Sequence, residues 1–564
     1  MEADGMLRQI VTLFVATAVL VLIRTSSSAE LQVPGEYSTI QSAIDTAVNG
    51  DTIIIAPGTY TGDSNRDIDF KGKAITVRST DPNDSVIVAT TIIDCQNYGR
   101  GFTFESGEQA DSILKGITII NGKAGTGGGI LIRDSSPVIA KCTVSNNSGV
   151  TGGGVYCDGG SPTIVNSIIE NNYASGEGGG IYYWGSGKPS IINCTVRGNS
   201  TNSRGEGGGI YINGDIHGGQ PTISFCSIIE NTAGSGGGLY IHKSSPLISH
   251  CTVADNYAVG SGGLFLGGMG SPDEYTVRVE HCRITGNSAN SKGGLKAICC
   301  NLYMYNCVVS GNSSYGYISG GLSIESYSTA EIRQCTIVGN RVAQIPGQRC
   351  VGGGLFLKMC DVTISNSIIR QNRATEGAQL AIHAWDGVQS PDIPPINEPT
   401  LVTLLHNDFA GEQDQEVYIY GEPNRLTLEM YSNLDVDPCF ADAGWWDPNG
   451  TQDDPNDDFW VDGDYHLKSQ AGRWDANEGR WTKDDVTSAC IDAGDVISTI
   501  GFEPFPNGGI INMGAFGGTA EASKSYFGEP VCETIIAGDI NGDCKVDFRD
   551  FVLMAYHWHE DNSP

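Results

Sequence analysis

A repeated block between Asn121 and Asn372 limits this chain to very few folds. Each copy reads roughly C-x-[VI]-x-x-N, then a polar turn, then G-G-[IVL]-[aromatic], then a polar approach to the next copy. The asparagines fall at Asn147, Asn172, Asn199, Asn231, Asn256, Asn287, Asn312, Asn340 and Asn372, at intervals of 25, 27, 32, 25, 31, 25, 28 and 32 residues. Five residues before each stands Cys142, Ser167, Cys194, Cys226, Cys251, Cys282, Cys307, Cys335 or Ser367, and three before each stands Val or Ile. A period in the twenties to low thirties marks a solenoid or array. Short β-branched segments, glycine turns and no helical spacing select an all-β, parallel β-solenoid. An all-helical array fails on the Gly-Gly runs, which would disrupt every helix. Equivalent residues of successive coils then stack ~4.8 Å apart. The Asn row is expected at a sharp left-handed turn, with its side chains bonded along the stack. The Cys row reads as an internal stack of free thiols, because Cβ atoms ~4.8 Å apart are slightly too far for good disulfide geometry.

The chain has 564 residues, 76 of them glycine, and a formal net charge of −32. The charge argues against nucleic acid as a partner and suits a soluble extracellular protein or a cation binder. Arg8, the apolar run from Ile10 to Ile23 and the small residues Ser27-Ser28-Ala29 form a signal-peptide pattern over residues 1–29, with an uncleaved anchor as the alternative. No later stretch has the length and polarity of a membrane-spanning helix. The expected location is secreted, extracellular or at the cell surface. The expected organisation is a solenoid over 30–435, a C-terminal cap with an acidic loop over 436–530, and a separate module over 534–562. The acidic stretch from Asp435 to Asp464, with Trp445-Trp446 inside it, reads as a solvated loop.

After the leader, Ser38 is expected to cap a short helix that carries Ile40, Ala43, Ile44 and Ala47 on one face, a natural lid for the first coil. Tyr37-Ser38-Thr39-Ile40-Gln41-Ser42-Ala43-Ile44, then Gly50-Asp51-Thr52-Ile53 and Pro57-Gly58-Thr59-Tyr60, resemble the opening segment of right-handed parallel β-helix proteins of the pectate-lyase-like superfamily. The Gly-Gly-Ile and [VI]-x-x-Asn repeats are also similar to those of chlamydial polymorphic outer membrane proteins. Both resemblances imply a right-handed parallel β-helix; they leave the chemistry open among lyases, hydrolases and adhesins. Asp464-Tyr465-His466-Leu467, Cys490 to Asp495 and Ile511 to Gly518 resemble the closing segment of bacterial secreted β-helix proteins.

The last 30 residues change character. Asp539, Asn541, Asp543, Asp547 and Asp550 occupy positions 1, 3, 5, 9 and 12 of an EF-hand-type loop, and Lys545 offers its carbonyl at position 7. Phe551, Met554, Ala555 and Trp558 then mark one helix face. The segment resembles one half of a type I dockerin, which implies calcium on those six residues and a cohesin-like partner. Cys544 stands where glycine is usual in that family, Phe548-Arg549 replace small hydroxylated residues, and a single loop–helix stands where dockerins have two.

One row of the repeat is informative about function. Residues flanking each glycine motif alternate inward and outward, and the outward row reads Leu131, Tyr156, Tyr182, Tyr211, Tyr240, Phe265, Lys296, Ser323, Phe356. Five successive exposed aromatics span roughly 19 Å, comparable to sugar units in an extended glycan. A second outward row adds Arg133, Asp158, Trp184, Asn213, His242, Glu325 and Lys358. Tyr156, Tyr182, Trp184, Tyr211, Tyr240, Phe265 and Lys296 are therefore candidate contacts to a polysaccharide or surface glycan; the bland alternative is that the rings pack on one another. Residues 274–373 carry ten Lys or Arg against five Asp or Glu, which suits an acidic polysaccharide. Lys296 would serve as a β-elimination base if its pKa were lowered, and is otherwise a solvated lysine. Neither the Asp-Asp plus Gly-His-Gly set of β-helix polygalacturonases nor the Trp-Ile-Asp-His signature of pectate lyases occurs, and acid pairs such as Asp484-Asp485 lie outside the repeat. The sequence thus leaves a polysaccharide lyase, a glycoside hydrolase and a non-catalytic adhesin-type solenoid open.

Overall fold

The structure, a computed structural model, describes residues 28–214, 218–268, 274–384, 400–410, 416–451, 456–528, 537–541 and 543–556. The leader expected over residues 1–29 lies almost wholly outside them, as do Asp453, Asp454 and Trp558.

The repeat winds into stacked coils that build four parallel sheets. In chain order around a coil, the first sheet has 15 strands, from Glu30–Val33 to Leu426–Tyr431, and the second has 13, from Gly58–Tyr60 to Asp408–Phe409. The third has nine, from Lys123–Thr126 to Arg341–Val342, and the fourth has 13, from Ile68–Asp69 to Val417–Gly421. Register is kept from coil to coil: Ile130, Val155, Ile181, Ile210, Leu239, Leu264, Leu295, Leu322 and Leu355 pair in one unbroken row. All nine are buried in the continuous core. A one-residue slip would turn every one of them to solvent, so the repeat fixes the register as well as the fold.

The Asn row explains itself once placed. Each Asn from Asn147 to Asn340 donates its Nδ2 to Oδ1 of the next at 2.9–3.1 Å. The same Oδ1 accepts the main-chain N–H of the Asn one coil earlier. The row ends where Asn372 donates to Gln379 Oε1 at 2.7 Å. These amides are buried and satisfied along the stack, as a low-dielectric interior requires. The left-handed backbone, however, sits one residue earlier than expected. Asn146, Asn171, Glu230, Asp255 and Gln371 have φ between 54° and 58°, with glycine at 198, 286, 311 and 339. The turn conformation and the buried amide are two adjacent demands, met by two adjacent residues. The Cys row repeats the arrangement: Lys141, Asn166, Asn193, Phe225, His250 and His281 are left-handed just before it. Its cysteines are free thiols. They donate S–H to main-chain carbonyls, as Cys194 does to Ile192 at 3.3 Å.

The glycine motifs mark the corner between the third and fourth sheets. A Cβ on Gly153 or Gly154 would stand 2.5 or 2.6 Å from the carbonyl oxygen of Gly179 or Gly180 in the next coil, so only glycine permits the coils to close there. At the other end, helix α1 (Ile40–Thr46) buries Ile40, Ala43 and Ile44 against the first strands. Its N-cap is Thr39 rather than Ser38; the Thr39 Oγ1 accepts the N–H of Ser42.

The acidic stretch from Asp435 to Asp464 does not behave as a solvated loop, and the expected C-terminal cap after it continues the same course. Together they fold back along the outside of the second sheet. Phe440, Tyr465, Cys490, Ile491, Met513 and Ala515 bury Val308, Val338 and Ile368, the outward side chains of three late coils. Asn306 Nδ2 donates to the carbonyls of Ala515 and Gly517, and Asp462 and Asp458 pair with Arg283 and Arg373. Acidic composition concealed this docking, because the charges meet the basic late coils instead of water. We call this region the flank.

Candidate functional site

The fourth sheet presents the two outward rows as a continuous face beside the glycine corner. The first row is aromatic, but its rings are not open. Tyr156, Tyr182, Tyr211, Tyr240 and Phe265 stack face to face, with centroids 5.0, 4.9, 5.4 and 4.3 Å apart and planes within 9° of parallel. The Arg133 guanidinium closes one end of the stack over Tyr156, 6.0 Å from its centroid, and the Lys296 ammonium closes the other over Phe265 at 5.6 Å. Tyr211 and Phe265 are accordingly buried, at 7% and 9% exposure, and the other three rings are half-buried. The expectation of five exposed ring faces is corrected here: coil spacing sits close to ring-stacking distance, so each ring covers its neighbour. The row shows edges and phenol groups instead.

Polar groups converge on those edges from the corner and from the second row. Glu206, in the Gly-Glu-Gly-Gly turn, interacts with the Tyr240 hydroxyl. Burial raises the Glu206 carboxyl above its usual range, the Tyr240 hydroxyl opposes that, and the nearby Glu177 charge adds to it. Burial likewise pushes the hydroxyls of Tyr182, Tyr211 and Tyr240 up, which keeps them neutral donors. In the second row Trp184 is 44% exposed, and Asn213 reaches the Tyr211 hydroxyl at 3.4 Å. Burial lowers His242, aided by the Lys243 charge, and raises Asp158.

Farther along, the character turns basic. Lys292 lies 3.4 Å from Glu325, and Ser323 donates to the same carboxylate at 2.7 Å. Burial holds Lys296 below the usual lysine range, opposed by the charge of Glu325 and assisted by that of Lys292. Burial works against the Glu325 carboxylate too, but Lys292 and Lys296 more than offset it. Sequence reading named Lys296 and Glu325 separately. The structure joins them, with Lys292, into one cluster at the end of the aromatic stack. The signal for Lys292 was its place in the glycine turn of the same coil, four residues before Lys296.

The C-terminal loop stands apart from this face. Cys544 is disulfide-bonded. Asp550 accepts N–H bonds from Ile540 (2.7 Å), Asn541 (3.3 Å) and Asp547 (2.7 Å), and Asp539 accepts that of Cys544 at 2.9 Å. Among the described residues no three His, Cys, Asp or Glu side chains converge as an ion-holding group. The donor set itself, four carboxylates, one amide oxygen and the Lys545 carbonyl, has the hard-oxygen chemistry that suits calcium. Helix α2 (Phe548–Tyr556) seats Leu553 where a Cβ on Gly509 of the flank would stand 2.5 Å away.

The four stacked sheets define a parallel β-helix, and residues 109–272 match the family model for the right handed beta helix region. Among solved structures, the chain is similar to the crystal structure of pectate lyase Pel9A, with 12% identity over 87% of this chain and 96% of that one and a TM-score of 0.30. It is also similar to the crystal structure of bacteriophage CBA120 tailspike protein 3, with 14% identity over 81% of this chain and 68% of that one, again at a TM-score of 0.30. No curated protein matches the chain. Among the described residues no helix is long and apolar enough to cross a membrane. The functional reading therefore rests on the side chains.

Proposed function

We propose that this is a secreted right-handed β-helix protein that binds polysaccharide along its fourth-sheet face, with the glycan chain parallel to the solenoid axis. The observation that supports this best is the stacked aromatic ladder bordered by groups suited to sugar hydroxyls: the phenols of Tyr182 and Tyr240, the Glu206 carboxyl and Asn213, beside the exposed ring of Trp184. Stacking makes the ladder rigid, so little side-chain freedom is lost on binding. Trp184 supplies the open ring face that the ladder lacks. Tyr182→Phe, Tyr240→Phe and Trp184→Ala test this without dismantling the stack. Retention of the mature protein in gels containing neutral or uronate polysaccharides should fall for each variant. Equal retention of wild type and variants across the panel removes the proposal.

A second reading, a polysaccharide lyase, is favoured by Lys296 alone. An ammonium whose pKa is lowered by burial is a candidate base for removing the proton α to a uronate carboxylate, with the β C–O bond breaking and a C=C bond forming. Lys292 would then offset the carboxylate charge. Incubation with uronate polymers should release product absorbing in the ultraviolet, and Lys296→Ala should abolish it. Reducing ends without that absorbance point to a hydrolase, and binding without either product to an adhesin-type solenoid.

For the tail we propose calcium on Asp539, Asn541, Asp543, Asp547 and Asp550 with the Lys545 carbonyl. Because Leu553 is seated on the flank, calcium would order a segment tied to the solenoid. A cohesin-like partner would have to meet the exposed Phe548, Phe551 and Met554. Calorimetric titration should show one calcium per chain, lost in Asp543→Ala; no heat in the wild type ends this reading.

A further inference from the structure

Among the described residues the third sheet ends at Val342, with the parallel bridges Arg341 to Arg373 and Val351 to Glu376 beyond it. In the last described turns the coil corner that this sheet lines is bounded by Arg370, Arg373, Ala410 and Glu416. A hairpin of the flank, Trp445–Asp447 paired antiparallel with Phe459–Val461, closes over it and leaves a cavity of about 530 Å³. Its walls are Trp445, Trp446 and Trp460 on one side, and Arg370, Arg373 and Glu416 of the last coils on the other.

Two of the three tryptophans are fixed in place. The Trp446 ring has the Arg373 guanidinium 4.5 Å from its centroid and meets Trp460 edge to face at 5.2 Å. Trp460 lies against Gly311 and Gly339, where any Cβ would meet its ring, and its Nε1 donates to the Tyr465 hydroxyl at 3.0 Å. Trp445, 52% exposed at the mouth, offers a broad apolar surface that the fold itself does not bury.

The charges choose among ligands. Arg370 already holds Asp408 through two bonds of 2.7 and 2.9 Å and Asp435 at 2.7 Å, and Arg373 holds Asp458 at 2.6 Å. Both guanidiniums are neutralised, and Glu416 adds a negative charge to the lining. A carboxylated sugar meets more carboxylate than guanidinium here. A neutral pyranose does not, and it presents a C–H face to tryptophan and hydroxyls to Glu416. The volume lies within the ~300–1,000 Å³ of small-molecule sites, enough for the end of an oligosaccharide.

We infer that this tryptophan-walled pocket is a second carbohydrate site, separate from the fourth-sheet face, that takes a neutral sugar unit of a glycan. The test is intrinsic tryptophan fluorescence of the full chain titrated with cellohexaose, xylohexaose, mannohexaose and, as the anionic probe, hexagalacturonate. At least one neutral probe should shift the emission and raise the thermal midpoint. Trp445→Ala should weaken that probe at least ten-fold, Trp445→Phe less, and Trp184→Ala not at all. The unliganded thermal midpoint of each variant reports its folding. The inference is overturned if no neutral probe changes the emission, if hexagalacturonate binds more tightly than every neutral probe, or if both Trp445 variants bind like wild type. Loss in Trp184→Ala with Trp445 variants unaffected would instead assign all binding to the fourth-sheet face.

Discussion

At the scale of single residues, asparagines at two adjacent positions of the repeat carry opposite burdens, as Asn231 and Asn171 of different coils show. Asn231 is buried; its Oδ1 accepts from Asn199, and its Nδ2 donates to Asn256 and to the Val196 carbonyl. Asn171 sits in the turn with φ of 54° and is exposed. Asn231→Ala should lower stability by about 2–4 kcal/mol, since it orphans buried groups on both neighbouring coils at ~1–3 kcal/mol each. Asn171→Gly should change it by less than about 0.5 kcal/mol, because glycine takes the left-handed region at no steric cost. Urea unfolding of both variants checks this, and equal losses would refute it. The periodic Asn was legible in the sequence because its position is invariant across nine copies. The left-handed role was misplaced by one residue because that position varies, from Asn146 to Glu230 to Gly286, and shares only a backbone angle.

At the scale of elements, the flank is the part whose course the sequence did not reveal. Its likeness to a closing segment was legible, but it has no period, so which coils it covers was not. Glu503 shows how completely it is folded. Its Oε1 accepts the N–H groups of Asn512 and Gly518, both at 2.8 Å, and its Oε2 has no hydrogen-bond partner among the described residues. Burial pushes this carboxyl up to about 8 and that of Asp492, which accepts from Ser525, up to about 7. Unfolded, the two titrate near ~4.3 and ~3.9. Between those values the folded chain holds more protons than the unfolded one, so stability present below about pH 4 is lost as pH rises through 7 and 8. The thermal midpoint should therefore fall from pH 5 to pH 9, and Glu503→Gln should flatten the fall. A variant as steep as wild type would show that these carboxyls do not set the slope.

At the scale of the whole molecule, a solenoid is a row of units, each stabilised mainly by its neighbours, so local weakness stays local unless something ties distant coils together. The flank is such a tie. Asp462 reaches Arg283, Trp460 covers Gly311 and Gly339, Asp458 reaches Arg373, and Asp435 reaches Arg370, so one segment spans four coils. It also shields Val308, Val338 and Ile368, which in an isolated solenoid would face water. Among the described residues the coils from 130 to 265 have no such cover; there the Asn ladder and the ring stack hold the column together. Trp460→Ala should cost roughly 2–3 kcal/mol, below the ~3–5 of a fully buried tryptophan because its ring is partly exposed. The loss should be confined. Hydrogen exchange should quicken in the second-sheet strands Val308–Ser310, Thr336–Val338 and Ile368–Arg370, while Thr143–Ser145 and Ile168–Glu170 keep their protection. Uniform loss along the whole column would mean that the coils unfold as one cooperative unit and that the flank is not a local brace.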